Sequence, residues 1–156
     1  MSFILTFFCV GIARRYAPNG SLKRILEEFG KLNEKLVASY VTQVLEGLDY
    51  LHQNGIVHCN LKATNILVTQ NGEVKLSDFG ISLYLRAIEH VDNKGVSYMP
   101  NWAAPEVIGL RPVSTKSDIW SLGCTVIELL TGKPPYGDLV NAPDGTCSFL
   151  CLVCTL

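Results

Sequence analysis

Leu36, Val37, Tyr40, Val44, Leu48 and Leu51 recur at intervals that line one face of an α-helix. Asn33 stands where an N-cap side chain accepts a backbone N–H, and Asn54-Gly55 stops the run. The pattern predicts a long amphipathic helix between them, with its apolar face serving as core scaffold. A shorter helix is predicted just before it, capped by Ser21, running to about Phe29 and ended by Gly30. Two short β-prone runs between Asn65 and Ser77 flank Asn71-Gly72, a strong hairpin signal. From about Ser117 to Leu130 a further helix carries Ile119, Trp120, Leu122, Val126, Ile127, Leu129 and Leu130. It is apolar almost all round, the pattern of a central buried helix, and Thr131-Gly132-Lys133-Pro134-Pro135 stops it. Val140 to Thr146 is turn-like, and Cys147 to Leu156 is a short apolar end.

Composition narrows the class. At 156 residues the chain is long enough for one domain with a core. A net charge of −1 and a pI near 6.3 leave no basic footprint for nucleic acid. Hydrophobic content of 48% and a mean hydropathy of +0.25 are high for a small soluble chain. They fit a piece of a larger protein in which a buried interface lies open. Of the 6 cysteines, Cys9, Cys59 and Cys124 are isolated, while Cys147, Cys151 and Cys154 cluster. Cys151-x-x-Cys154 is half of a zinc signature without its other half, so thiols in a reducing cytosol are expected instead. The apolar run Phe3 to Ala13 is of signal-peptide length but has no basic residue before it. It falls short of the ~20 residues that span a bilayer.

Four motifs carry candidate chemistry. The first is His58-Cys59-Asn60-Leu61-Lys62-Ala63-Thr64-Asn65 and the second Ser77-Asp78-Phe79-Gly80. Ala104-Pro105-Glu106 and Ser117-Asp118-Ile119-Trp120-Ser121-Leu122-Gly123 follow. In this order and spacing they resemble the protein-kinase catalytic loop H-R-D-L-x-x-x-N, the D-F-G motif, the A-P-E motif and the helix beneath the loop. Lys62 is typical of the Ser/Thr branch. Tyr16 to Leu22, Leu76 to Ser82 and Gly123 to Tyr136 look like MAP kinase kinase kinases, most of all the sterile-family kinases of septation-initiation pathways and their plant epsilon-type relatives.

The resemblance implies a mainly α (α+β) fold: a protein-kinase-like C-lobe with small β-hairpins, and the N-lobe missing. It divides the chain into a non-family apolar leader (1–15), a partial kinase domain (16–139) and a non-family tail (140–156). It implies Mg²⁺ ligands at Asn65 and Asp78, a phosphate-side lysine at Lys62, and nucleotide contacts at Ala17, Ser21 and Leu67. His58, Phe79, Gly80, Glu106 and Asp118 take structural positions, Asp118 accepting hydrogen bonds from the catalytic-loop backbone. An ordinary helix-dipole carboxylate would also sit where Asp118 does.

The departures are as specific as the matches. Asn60 occupies the position of the catalytic aspartate, and an amide orients a hydroxyl but cannot take its proton near neutral pH. Cys59 replaces the arginine that pairs with a phosphorylated activation segment. No G-x-G-x-x-G loop precedes the loop, and Arg14 and Arg15 match the hinge poorly. The stretch Gly95 to Glu106 is longer than its family counterpart, and Ser82, Ser97 and Thr115 are ordinary polar residues or modification sites. The expectation is a cytoplasmic Ser/Thr protein-kinase relative in MAP kinase kinase kinase-type signalling, with ATP and Mg²⁺ as family cofactors and proteins as partners. Neither nucleic acid nor membrane is expected as a partner. This chain is read as an impaired, incomplete copy, with a pseudokinase-like binding module or a non-functional partial product as alternatives.

Overall fold

The computed structural model of the chain describes residues 19–78, 83–84, 100–109 and 111–136. Ala17, Phe79, Gly80, Ser82, Ser97, the 1–15 leader and the 140–156 tail lie outside the described residues.

Helix α1 spans Leu22–Phe29, with Ser21 Oγ accepting from the Arg24 N–H at 3.3 Å and Gly30 ending it. Helix α2 spans Glu34–Gln53, with Asn33 Oδ1 accepting from the Leu36 N–H at 2.9 Å. Its buried face is Val37, Tyr40, Val44, Leu48 and Leu51, as the spacing predicts. Each such side chain contributes roughly 1.5–3 kcal/mol when withdrawn from water. Strand β1 (Ile56–Val57) follows, then a 3₁₀ turn (Ala63–Asn65), β2 (Ile66–Val68) and β3 (Val74–Leu76). Strand β4 (Leu83–Tyr84), a 3₁₀ turn (Pro100–Trp102), the short α3 (Pro105–Ile108) and α4 (Thr115–Thr131) complete the order.

The described part is helix-rich with two small antiparallel sheets, β1–β4 and β2–β3. In the second, Ile66 pairs with Leu76 and Val68 with Val74. The hairpin forms where Asn71-Gly72 predicts it, but its connection is not a two-residue turn. The Gly72 N–H donates to the Thr69 carbonyl at 3.0 Å and the Thr69 N–H to the Glu73 carbonyl at 2.8 Å. Gly72, at φ 79°, supplies the left-handed step that lets five residues turn and rejoin the ladder.

Helix α2 packs on both α4 and β3. The core between them includes Leu22, Leu26, Val44, Leu48, Leu61, Ile66, Leu122 and Leu129. α4 starts two residues before the predicted Ser117 because Ser114 and Ser117 form a reciprocal capping box. Gly132, left-handed at φ 79°, ends it. The expectation of a helix buried all round is corrected here. Leu122, Cys124, Thr125, Glu128 and Leu129 are buried, but Ile119, Trp120 and Ile127 remain 50%, 38% and 45% exposed. The neighbours α2, the loop at Ala63–Asn65 and the turn at Pro100–Trp102 all contact α4, and none covers this stripe.

Candidate active site

The loop from His58 to Asn65 emerges from β1 and is held from below by α4. Asp118, fully buried in the first turn of α4, accepts three hydrogen bonds. The His58 N–H donates to Oδ2 at 2.9 Å, the Cys59 N–H to Oδ1 at 2.9 Å, and His52 Nε2 lies 2.8 Å from Oδ2. The carboxylate thus caps the loop's backbone as well as sitting near the positive end of a helix. Cys59 adopts φ 62°, a left-handed conformation uncommon outside glycine, which the anchored His58 and Cys59 amides before the kink and the Asn60 amide after it help to hold.

His58 is fully buried. Its Nε2 donates to the Ser77 carbonyl at 3.1 Å, so Nδ1 is free of its proton and accepts the Asn60 N–H at 3.2 Å. Burial holds this imidazole below its ordinary pKa of 6.5, against the opposing pull of Asp118 and the Ser77 carbonyl.

The hairpin closes on itself at its base. Ser77 N–H and Oγ both donate to the Asn65 carbonyl, at 2.9 and 3.0 Å. That closure brings Asn65 and Asp78 to the same end, where Asn60 engages both. Asn65 Nδ2 donates to the Asn60 carbonyl at 2.7 Å, and Asn60 Nδ2 donates to Asp78 Oδ2 at 2.8 Å. Only the amide nitrogen can face a carboxylate oxygen at that distance, which fixes the orientation of the Asn60 side chain. Asp78 is exposed and sits at φ 61°. Asn65 is buried, with Thr64 Oγ1 3.3 Å from its Oδ1. Lys62 and Leu67 are half-buried. Ser21 pairs across a bridge with Leu67 while its hydroxyl caps α1. Glu106 Oε1 accepts from Ser117 Oγ at 2.6 Å, tying the Ala104-Pro105-Glu106 segment to α4.

Sequence reasoning missed Glu128. It is 1% exposed, and its Oε2 accepts from Trp102 Nε1 at 3.1 Å and the Ala63 N–H at 3.4 Å, with Lys23 Nζ 3.8 Å from Oε1. Burial pushes its carboxyl above the ordinary value of 4.5, opposed by the Ala63 bond, Lys23 and Trp102. A lone carboxylate inside an apolar helical run was the available signal, since such a group must find partners. His52, which holds Asp118 from α2, gives no signal in the sequence. Among the described residues no buried side-chain nitrogen or oxygen lacks a partner. A shallow cleft lies beside the loop, with Asn60, Lys62, Trp102, Ala103, Val107 and Ser117 among its lining residues.

The chain matches the family profile described as "Protein kinase domain" over residues 8–146. It belongs to the protein kinase family. Cell division control protein 7 of Schizosaccharomyces pombe is 52% identical over 128 residues, covering 82% of this chain and 12% of that protein. MAP3K epsilon protein kinase 1 of Arabidopsis thaliana is 51% identical over 134 residues, covering 85% of this chain and 10% of that protein. A Dictyostelium discoideum protein named "Probable inactive serine/threonine-protein kinase" is 43% identical over 129 residues, covering 83% of this chain and 11% of that protein. The chain therefore spans about a tenth of the length of the curated relatives it matches. The resemblance to MAP kinase kinase kinases holds at this level of identity.

The kinase family uses ATP and Mg²⁺. Asp78 and Asn65 suit such a cation in kind: both offer hard oxygen donors, and Mg²⁺ in phosphoryl-transfer sites takes few protein ligands beside phosphate and water. No cluster of three or more His, Cys, Asp or Glu side chains with metal-binding geometry occurs among the described residues. No helix among them is long and apolar enough to cross a membrane.

Proposed function

We propose that this chain is the catalytic-loop-bearing, C-lobe part of a Ser/Thr protein kinase of MAP kinase kinase kinase type, and that it does not transfer phosphate. The observation that carries the reading is the Asn60 side chain, whose amide nitrogen is bonded to Asp78 in place of a carboxylate facing a substrate hydroxyl. In an active family member Mg·ATP supplies the phosphoryl group, with its charge partly neutralised by the cation. Asn65 and Asp78 would hold that cation, Lys62 would face the phosphate side, and Ser21 and Leu67 would border the nucleotide. A hydroxyl brought to the cleft beside Asn60 and Lys62 can be oriented by the Asn60 amide, but its proton stays. Losing a positioned base lowers such rates by about 10²–10⁴-fold. The 156 residues also contain no G-x-G-x-x-G phosphate loop.

Family partners would be protein substrates or signalling proteins, and the expected compartment is the cytoplasm. The test is transfer from radiolabelled ATP with Mg²⁺ to a basic protein substrate. Incorporation by the wild-type chain should equal that of an Asp78→Ala control. Incorporation clearly above it would overturn the reading. Asn60→Asp in the same chain should stay at background as well, because it adds a base without a phosphate clamp.

A second reading, a non-catalytic binding module, is favoured by the exposed stripe Ile119, Trp120 and Ile127 on α4 and by the relative named as an inactive kinase. Stable expression as a monomer that retains a protein partner would favour it.

A further inference from the structure

We propose that Asn60 is a built-in substitute for the metal ion at Asp78, an internal donor that occupies the carboxylate and competes with divalent cations. The proposal takes Asp78 as the metal ligand, as above, but is independent of whether phosphate is transferred.

The geometry is a 2.8 Å contact from Asn60 Nδ2 to Asp78 Oδ2. An aspartate at position 60 would put two carboxylates at that separation. Like charges so close must separate, share a proton or take a cation between them. An asparagine reverses the sign of the contact. Its N–H carries a partial positive charge and forms a charge-assisted bond, so the pair is attractive with no metal present. A cation approaching Oδ2 then has to displace a donor rather than relieve a repulsion.

Four further bonds fix the backbone on either side of this contact. The Asn60 N–H is held by His58 Nδ1 at 3.2 Å, and its carbonyl by Asn65 Nδ2 at 2.7 Å. Ser77, the residue before Asp78, is fixed to Asn65 through its N–H and hydroxyl. Both ends of the contact are therefore tied to the same hairpin base, and little conformational freedom is lost on making it. The second cation ligand is affected too, because the Asn65 amide is already oriented by the Asn60 carbonyl.

The discriminating variant is Asn60→Ala. It removes the donor without adding charge, and the bonds made by the Asn60 backbone N–H and carbonyl survive it. The probe is Mn²⁺ alone, without nucleotide, followed by electron paramagnetic resonance and by line-broadening in ¹⁵N spectra of the whole chain. Asn60→Ala should bind Mn²⁺ about three- to tenfold more tightly than wild type, the range of an ordinary net hydrogen bond, since solvent at the exposed Asp78 weakens the charge-assisted gain. The Asn60 side-chain amide resonance of the wild type should shift when a parallel titration with diamagnetic Mg²⁺ saturates.

Equal or weaker Mn²⁺ binding by Asn60→Ala would overturn the proposal, since a bystander amide leaves affinity unchanged and an oxygen ligand would be missed. So would an unmoved Asn60 amide resonance at saturation, a result that needs no variant to fold. Absence of binding in both proteins overturns it, whereas binding by Asn60→Ala alone supports it. Asp78→Ala should abolish binding; if it does not, Asp78 is not the ligand and the substitution has nothing to replace. None of these outcomes depends on the phosphotransfer assay.

Discussion

Replacing Asp118 distinguishes an anchor from an ordinary helix-terminus carboxylate. A carboxylate in the first turn of an exposed helix gains about 0.3–1 kcal/mol from the dipole. Asp118 is fully buried and accepts the N–H groups of His58 and Cys59 at 2.9 Å and a bond from His52 at 2.8 Å. Hydrogen bonds to charged acceptors are worth roughly 1.5–3 kcal/mol each, and a buried donor left without a partner costs about 1–3 kcal/mol. Asp118→Ala strands two backbone donors next to the left-handed Cys59, so a loss of about 3–5 kcal/mol is expected. Asp118→Asn keeps one acceptor oxygen and turns an NH₂ group towards a donor N–H; the expected loss is about 2–3 kcal/mol. Either is a large share of the 5–15 kcal/mol typical of a domain. Urea unfolding gives the loss as a shift in midpoint at constant slope. Hydrogen exchange at His58 and Cys59 should speed up in both variants ahead of exchange at Val44 and Leu48. A loss under about 1 kcal/mol for Asp118→Asn, with unchanged protection at His58 and Cys59, would leave only the dipole and refute the anchor.

Other consequences can be checked alongside. The depressed His58 pKa means that the unfolded chain binds the extra proton first: its stabilising contribution is complete above pH 6.5 and is lost as pH falls through the folded-state value. Glu128 works oppositely, its raised pKa giving a contribution complete below pH 4.5 and lost as pH rises through the folded-state value. Melting temperature against pH should thus fall less steeply below pH 6.5 in a His58→Gln variant that still folds, while Glu128→Gln should flatten the decline above pH 4.5; unchanged profiles would refute both. Burial pushes the Cys124 thiol up to about 11. At pH 8 only about one molecule in a thousand then carries the thiolate, so mass spectrometry should find Cys124 unalkylated under native conditions and fully alkylated in urea. Ile119→Ser should reduce dye binding and self-association at a cost of about 1 kcal/mol, since half of that side chain is exposed. A loss of several kcal/mol would show that the stripe is covered in solution.

Much of this architecture is legible along the chain because its signals are local. Ser21 and Asn33 announce helix starts with side chains that bond amides three residues on, and Gly132 announces an end. The hairpin is legible, but its turn is not, because an Asn-Gly pair serves a longer loop as readily as a tight one. The exposure of Ile119, Trp120 and Ile127 could not be read, since periodicity in a helix apolar all round does not say which side has a neighbour. Pairing of Ile56–Val57 with Leu83–Tyr84 rests on two residues a side, too few to leave a pattern. Glu128, His52 and the Asn60–Asp78 bond unite positions far apart in the chain, and no local propensity encodes them. Motif spacing groups Asn60, Asn65 and Asp78; the direction of the Asn60 amide is set by the folded loop and hairpin.

The way Asp118 grips the loop bears on what drift can do to it. The grip is on main-chain hydrogens of residues 58 and 59, which every amino acid but proline supplies. The shape of the bend is therefore indifferent to whether the next side chains are arginine and aspartate or cysteine and asparagine. Selection for a folded chain guards Asp118 whichever side chains stand at 59 and 60; selection for turnover bears on those two directly. A loop built in this way can lose its chemistry by single substitutions and keep its outline, so a well-formed outline is no witness to the chemistry.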